Sequence, residues 1–286
     1  MSIVVTGATG HLGRLVIADL LERGVGAGEI AAVVRDEGKA ADLAAKGVEL
    51  RIADYDRPES LKGAFRAGER VLFVSGNEPG KRLPQHAAVI DAAREARVGL
   101  LAYTSILGGQ GADMALAEEH KVTERQIFAA DLPYTLLRNG WYTEVYTGNL
   151  APVLEHGAVV ASAGDGRVAS AARADYAAAA AVVLTGEGHE NKAYELSGDT
   201  AWSFAEYAAA VSEATGREIA YQNVPSERHL EILVGAGIPA AFAEILVDVD
   251  RGIGRGLLAG TSGELSRLIG RPTTPMPDSV AAALKG

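Results

Sequence analysis

Not one of the 286 residues is a cysteine. Disulfides, thiolate nucleophiles, iron–sulfur clusters and cysteine-based zinc sites are thereby excluded, and a reducing cytosol is the compartment such a chain suits. No apolar run reaches the ~18 residues of a membrane span; the longest is the alanine-rich stretch from Ala177 to Leu184. The charged and apolar regions of a signal peptide are missing too, since the strand-like run Ser2-Ile3-Val4-Val5-Thr6 follows Met1 directly. None of the six histidines has metal-ligand spacing such as H-E-x-x-H, so no metal is assigned. Basic residues are the minority, 27 Lys and Arg against 37 Asp and Glu for a net charge of −10, and they form no block. That balance disfavours nucleic acid as a partner. It leaves room for a phosphorylated cofactor, which backbone N–H groups and one arginine can hold on an acidic protein.

What is present is an alternation. Short β-branched runs at Ile3–Thr6, Ile30–Val34, Val48–Ile52, Val71–Ser75, Leu100–Thr104 and Tyr134–Leu137 are separated by helical stretches such as Leu12–Arg23 and Gln85–Ala96. Strands alternating with helices predict an α/β fold, a Rossmann doubly wound parallel sheet in the order 3-2-1-4-5-6. After about residue 140 the rhythm loosens, and one helical region is expected from Ser226 to Gly254. The predicted organisation is residues 1–140 as a dinucleotide-binding domain and 141–286 as a small, mainly helical substrate-binding region. The segment Ala193–Leu196 is a candidate strand returning to the main sheet.

Ligands of such sheets bind at the carboxyl ends of the strands. The first end reads Gly7-Ala8-Thr9-Gly10-His11-Leu12-Gly13 between a strand and a helix. There Gly7 permits a tight turn, Gly10 a close approach to a pyrophosphate and Gly13 close helix packing. The spacing is G-x-x-G-x-x-G, not G-x-G-x-x-G. At the second end stands Arg35, where an NAD-selective site would carry an acid; its charge and forked donors suit a 2′-phosphate, so NADPH is the expected cofactor. A solvated arginine beside Asp36 is the competing view. Asp54 ends the third strand within reach of an adenine edge, or as a plain surface carboxylate. Ser75, Gly76 and Asn77 end the fourth, either under a nicotinamide ribose or as an ordinary turn. Tyr103 and Ser105 end the fifth.

The Tyr-x-x-x-Lys pair that donates a proton in carbonyl reduction is absent: Lys121 has Ala117 at the required spacing. Near the sheet there remain His120, a candidate proton donor or a core histidine, and the run Asn139-Gly140-Trp141-Tyr142-Thr143-Glu144, whose aromatic rings suit a flat substrate. Trp202 and Tyr176 read as core aromatics.

Together these residues resemble the type 2 NADPH:quinone oxidoreductases, NmrA-like atypical short-chain dehydrogenases, over essentially the whole length. The likeness rests on Val5-Thr6-Gly7-Ala8-Thr9-Gly10-His11-Leu12-Gly13, Val33-Val34-Arg35, Ala53-Asp54-Tyr55, Ala102-Tyr103-Thr104-Ser105, Tyr134 to Tyr142, Ala163-Gly164-Asp165-Gly166, Arg173-Ala174-Asp175-Tyr176-Ala177 and Leu268 to Thr274, the block ending in Trp141-Tyr142 being the most specific. It implies flavin-free reduction of a quinone by NADPH in a cleft between two domains. It also implies Gly7 to Leu12, Arg35 and Ser75 to Asn77 on the cofactor, Asn139 to Glu144 at the nicotinamide and quinone end, and Ser170 and Arg173 bordering the cleft. The family carries serines around Gly76 and Asn77, where this chain departs from it. Without the Tyr–Lys pair, Tyr142 and His120 are the candidate catalytic residues, and positioning of the two rings can carry the rate. A quinone is the expected small-molecule partner, with no membrane, and a homodimer is left open. The alternative is an NmrA-like NADP sensor without turnover.

Overall fold

The β-branched N-terminal triplet forms β1 (Ile3–Val5) at the centre of the main sheet of the computed structural model, which describes residues 2–78, 80–148 and 150–285. All three side chains are buried, as a strand covered on both faces requires. The chain continues through α1 (His11–Glu22), β2 (Ile30–Val34), α2 (Ala41–Ala45), β3 (Glu49–Ile52), β4 (Arg70–Phe73), α3 (Arg82–Ala96), β5 (Leu100–Ile106), α4 (Ala117–Ala129) and β6 (Tyr134–Asn139). Next come α5 (Glu144–Thr147), α6 (Ala151–His156), β7 (Ala158–Ala161), β8 (Arg167–Val168), α7 (Arg173–Thr185) and β9 (Lys192–Leu196). The last part holds β10 (Trp202–Ser203), α8 (Phe204–Thr215), β11 (Ala220–Asn223), α9 (Ser226–Gly235), α10 (Ala240–Gly254), α11 (Glu264–Ile269) and α12 (Met276–Ala283).

The sheet order is β3-β2-β1-β4-β5-β6-β9, which is the doubly wound order with the returning strand added beyond β6. Ile3 faces Ile30 on one side and Arg70 on the other, both in parallel register. Alternation along the strands sorts the core. Val4, Val33, Val71, Phe73, Leu101 and Tyr103 share one face with Val89, Ile90 and Ala93 of α3 and Ile127 of α4. On the other face α7 packs on β4, β5 and β6 and lies against α1. The alanine run read from sequence is α7, whose small side chains permit that close approach.

The chain does not divide once near residue 140. One compact unit comprises Met1–Gln110, Glu118–Asn139 and Arg173–Glu195; the other comprises Gly111–Ala117, Gly140–Ala172 and Leu196–Gly286. α7 belongs to the first because its buried side chains cover the sheet, and β9 up to Glu195 because it pairs beyond β6 at the sheet's edge. In the second, β7 pairs with β11 in parallel and β8 with β10 antiparallel, and the helices α8 to α12 pack around them. The helical region expected over 226–254 is made of two helices, α9 and α10, broken where Gly237 takes φ +86° and Pro239 follows. Among the described residues no helix is long and apolar enough to cross a membrane.

Candidate functional site

Gly7 closes the turn after β1 at φ +57°, a left-handed conformation that glycine adopts without steric penalty. Its carbonyl accepts the Gly10 N–H at 2.9 Å. A Cβ on Gly13 would lie 2.4 Å from the Gly7 carbonyl oxygen and 2.8 Å from the Ala8 Cα. That is a collision with backbone, which no rotamer relieves, so the third glycine is what lets α1 begin directly against the end of β1. Gly10 is the N-cap, no side chain caps the helix, and its first turn holds no acid. The first-turn amides and the positive end of the helix dipole are therefore left for an anion. Gly7, Gly10 and His11 are exposed and Thr9 half-buried, while Ala8, Leu12 and Gly13 are buried and shape the loop from below. Arg14, which sequence reasoning passed over, braces the loop: its Nε donates to the Thr9 carbonyl at 3.3 Å and its fork reaches Asp42 at 2.6 Å.

Arg35 stands exposed immediately after β2. Asp36, the neighbour that would otherwise neutralise it, is turned to the Gly38 N–H at 2.8 Å. An uncapped helix N-terminus over a glycine cradle, with an exposed guanidinium beyond the next strand, fits a dinucleotide carrying an additional phosphate. Asp54, half-buried, opens the turn after β3: its Oδ1 accepts the Asp56 N–H at 3.1 Å and its own N–H donates to Ser60 Oγ at 2.8 Å.

The fourth strand stops at Phe73, two residues before the expected end, because the following amides turn to side chains. Val74 N–H donates to Thr6 Oγ1 at 3.0 Å and Ser75 N–H to Thr104 Oγ1 at 2.8 Å. Gly76 N–H donates to His86 Nε2 at 3.0 Å, and Arg82 Nε donates to the Gly76 carbonyl at 2.7 Å. Tyr55 adds its hydroxyl to Thr6 and to the Val74 carbonyl. Ser75 and Gly76 are half-buried and Asn77 is exposed. Thr6 and Tyr55 stand in the sequence only within motifs of the family likeness, with no role of their own, and Arg82 and His86 are not among the site candidates.

Three candidates are corrected. Tyr103 is fully buried, its hydroxyl 2.7 Å from His120 Nδ1 and its ring packed on Phe73 and His86. Ser105 donates to the buried carboxylate of Glu124 at 2.7 Å. Strand alternation explains both, because 101, 103 and 105 share the face that α3 and α4 cover. His120 is 6% exposed, and burial, then the Arg82 charge, pushes its pKa down to about 3. It is a neutral core histidine, not an acid in the range a proton donor needs.

Glu124 instead anchors a buried ion pair. Arg138 grips both its oxygens at 2.9 Å and reaches Glu195 at 2.8 Å. Burial alone would raise the Glu124 pKa; the Arg138 hydrogen bonds overcome it and hold the carboxyl below its usual value. A Cβ on Gly109 would strike the guanidinium carbon at 2.1 Å, so the loop after β5 closes over Arg138 only as glycine.

Asn139 is buried at the end of β6, opposite Ile106, and Arg173 is half-buried at the start of α7. Both belong to the first unit. Gly140 to Glu144 and Ser170 belong to the second, where two backbone hydrogen bonds lay 141–143 alongside Ala171. Trp141, Tyr142 and Glu144 are half-buried there, and Gly140 donates to the Leu196 carbonyl at 2.7 Å. Ser170 is a brace more than a donor: Trp202 Nε1 gives it a hydrogen bond at 2.9 Å and Thr143 Oγ1 lies 2.8 Å away. It borders a hollow of about 500 Å³ together with Trp202, Asp199, Thr273 and Met276.

The second unit also gathers a serine, a histidine and an aspartate. His229 Nδ1 is 3.0 Å from Asp250 and 3.2 Å from Ser162 Oγ. Both oxygens address one ring nitrogen, whereas a relay needs the carboxylate on one nitrogen and the serine on the other. The cluster is structural.

Fold and cradle together define a dinucleotide-binding α/β protein. A family model described as NAD(P)H-binding matches residues 7–187. Quinone oxidoreductase 2 of Escherichia coli is 45% identical over 98% of this chain and 97% of its own length. The crystal structure of an E. coli NADPH-dependent quinone oxidoreductase in complex with NADPH superposes with a TM-score of 0.95 at 44% identity, covering 99% of each chain. Triphenylmethane reductase of Citrobacter complexed with NADP(H) gives 0.94 at 44% identity over 99% of this chain and 100% of that one. An NAD(P)H azoreductase of Xenophilus azovorans is 29% identical over 94% of this chain and 93% of its own. The chain belongs to the NAD(P)H-binding family and, within it, to the NmrA-like type 2 quinone oxidoreductases.

Proposed function

We propose that this protein reduces quinones at the expense of NADPH, without a flavin. The observation that carries the reading is the Gly7–Gly13 cradle under an uncapped helix, followed by the exposed Arg35, in a chain so similar to an NADPH-dependent quinone oxidoreductase. Gly7 to Gly13 receive the pyrophosphate, Arg35 the 2′-phosphate, and Ser75 to Asn77 the ribose nearer the nicotinamide. Bound there, NADPH supplies a hydride to the acceptor. Asn139, Arg173 and the 140–144 run with Tyr142 are the proposed substrate residues, and Trp141 and Tyr142 offer ring surface to a flat acceptor. A cytosolic location accords with the lack of cysteine, and light scattering tests whether the chain forms a homodimer.

NADPH oxidation followed by absorbance against a small quinone panel tests the activity, beside NADH and an Arg35→Ala variant. Turnover with NADPH is expected, weakened about ten- to a hundredfold in the variant because a charge-assisted pair to phosphate is lost, with NADH little changed. Tight NADPH binding with no turnover on any quinone would move the protein to the sensor class.

A further inference from the structure

The segment after β4 is held in an unusual way. Its amides at 74, 75 and 76 are consumed by Thr6, Thr104 and His86, and the Gly76 carbonyl is consumed by Arg82, so one residue is clamped at both its polar groups from α3. His86 is fully buried and Arg82 is 7% exposed. The backbone is seated hard on the helix: a Cβ on Gly76 would meet Gln85 Oε1 at 3.0 Å and His86 Nε2 at 3.5 Å.

The donors settle the ring's tautomer. A backbone N–H can only donate, so His86 Nε2 is the acceptor and carries no proton. The ring is neutral, since burial and then the nearby His120 and Arg82 push its pKa down to about 3. Its one proton is therefore on Nδ1, 2.9 Å from Thr123 Oγ1, and the Thr123 hydroxyl in turn donates to the Glu119 carbonyl at 2.8 Å. Gly76, His86, Thr123 and Glu119 form one directed chain running from the loop into α4.

We propose that His86, as the Nδ1–H tautomer, acts with Arg82 as a positioning residue for the NADPH site, presenting Ser75 and Gly76 with their amides already spent. A segment so prepared meets a ligand through the Ser75 carbonyl and hydroxyl, which match ribose hydroxyls and not phosphate oxygens. The inference rests on the proposed function, because it needs Ser75–Asn77 to touch the cofactor.

Two variants of the full-length protein separate positioning from packing. His86→Gln sets a carboxamide oxygen where Nε2 stands and can still receive the Gly76 amide. His86→Asn keeps a nitrogen where Nδ1 stands and leaves that amide unpaired. Both remove the same buried ring, so similar losses in melting temperature are expected. The NADPH dissociation constant, read by fluorescence titration, is expected to rise about tenfold in His86→Asn and to stay within about threefold in His86→Gln. Long-range proton–nitrogen spectra of the wild-type protein, with His86 assigned through its contact to the Phe73 ring, are expected to show a protonated Nδ1 and a bare Nε2. Equal dissociation constants in the two variants, or a proton on Nε2, overturns the proposal; if neither variant folds, the spectrum decides. Failure of the wild-type protein to bind NADPH would instead sink the functional reading, and the tautomer is measured without cofactor, so the two failures are distinct.

Discussion

Lowering the pH from 7.5 to 5.5 should destabilise this protein through two histidines. His86 and His120 are 0% and 6% exposed, and both have pKa values pushed down to about 3, by burial first. In the unfolded chain each titrates near ~6.5. A lowered folded value means that the unfolded state takes up the proton more readily, so stability is full above ~6.5 and falls as the pH drops towards 3. At pH 5.5 each histidine is one unit below its unfolded value, worth roughly 1 kcal/mol or slightly more. Together they remove about 2 to 3 kcal/mol, or about 5 °C of melting temperature at roughly 2 °C per kcal/mol for a chain of this size.

Carboxylates do not blur this window. Glu49, lowered to about 2 by Arg51 and Arg66, and Glu124, lowered by Arg138 against its burial, lose their contributions only as the pH falls through the ordinary carboxylate range near ~4. His189 shifts in the same direction but is far more open to solvent. The assay is thermal unfolding of the wild-type protein, His86→Gln and His120→Gln at both pH values. An amide does not titrate, so each variant should lose about half of the pH dependence whatever its absolute stability. A melting temperature that is flat across the window, or a drop that neither substitution reduces, would refute the assignment of these rings as buried and neutral.

The other predictions are more local. Gly13→Ala drives a Cβ into the Gly7 carbonyl and should lower stability by about 2 kcal/mol or more and weaken NADPH binding over tenfold. Gly28→Ala, which meets nothing within 4 Å, should be neutral in the same melting and titration experiments. Arg138→Ala leaves Glu124 buried without its cation and should cost about 3 to 5 kcal/mol by denaturant unfolding, with Glu124→Gln in the same background restoring part of it. The kcat profile between pH 5.5 and 8 should show no ionisation attributable to His120; a limb near 6.5 that His120→Gln abolishes would return the ring to the chemistry.

How much of this was legible in the sequence depended on which face a residue took. Most of the six strands declared themselves because buried parallel strands are apolar runs rich in β-branched and leucine residues, as β1, β2 and β5 are, whereas the outer β3, Glu-Leu-Arg-Ile with only Arg51 buried, was legible from its place in the alternation. Lys192–Leu196 was visible only as a candidate, since an outer strand beginning with exposed Lys192 and Ala193 lacks such a run. The cradle was legible because its steric demand is local to seven residues. Tyr103 and Ser105 were placed at the site because they end a strand, although period-two alternation from Leu101 already assigns them to the covered face. The start of α3, expected at Gln85, lies three residues earlier, with Pro84 inside its first turn. Proline is tolerated in a first turn, where the amide has no helical partner, and the helix begins at Arg82. That one error hid Arg82 as a helical residue facing Gly76.

The missing Tyr–Lys pair and the neutral His120 bear on the same question, which is where a proton comes from when a quinone is reduced. A ketone taking up a hydride becomes an alkoxide, a base too strong to leave unprotonated in an apolar site, so an acid must stand within hydrogen-bond reach. A quinone taking up a hydride becomes a phenolate, whose pKa lies near that of tyrosine at ~10. Water at the mouth of a site can protonate such an oxygen after transfer, and the demand on the protein shifts from acidity to alignment of two flat rings. Around β5 the polar side chains are otherwise engaged. The buried tyrosine, histidines and threonine around β5 hold backbone and one another, the Glu124 carboxylate is locked to Arg138, and among the candidate catalytic residues Tyr142 alone keeps a half-exposed position.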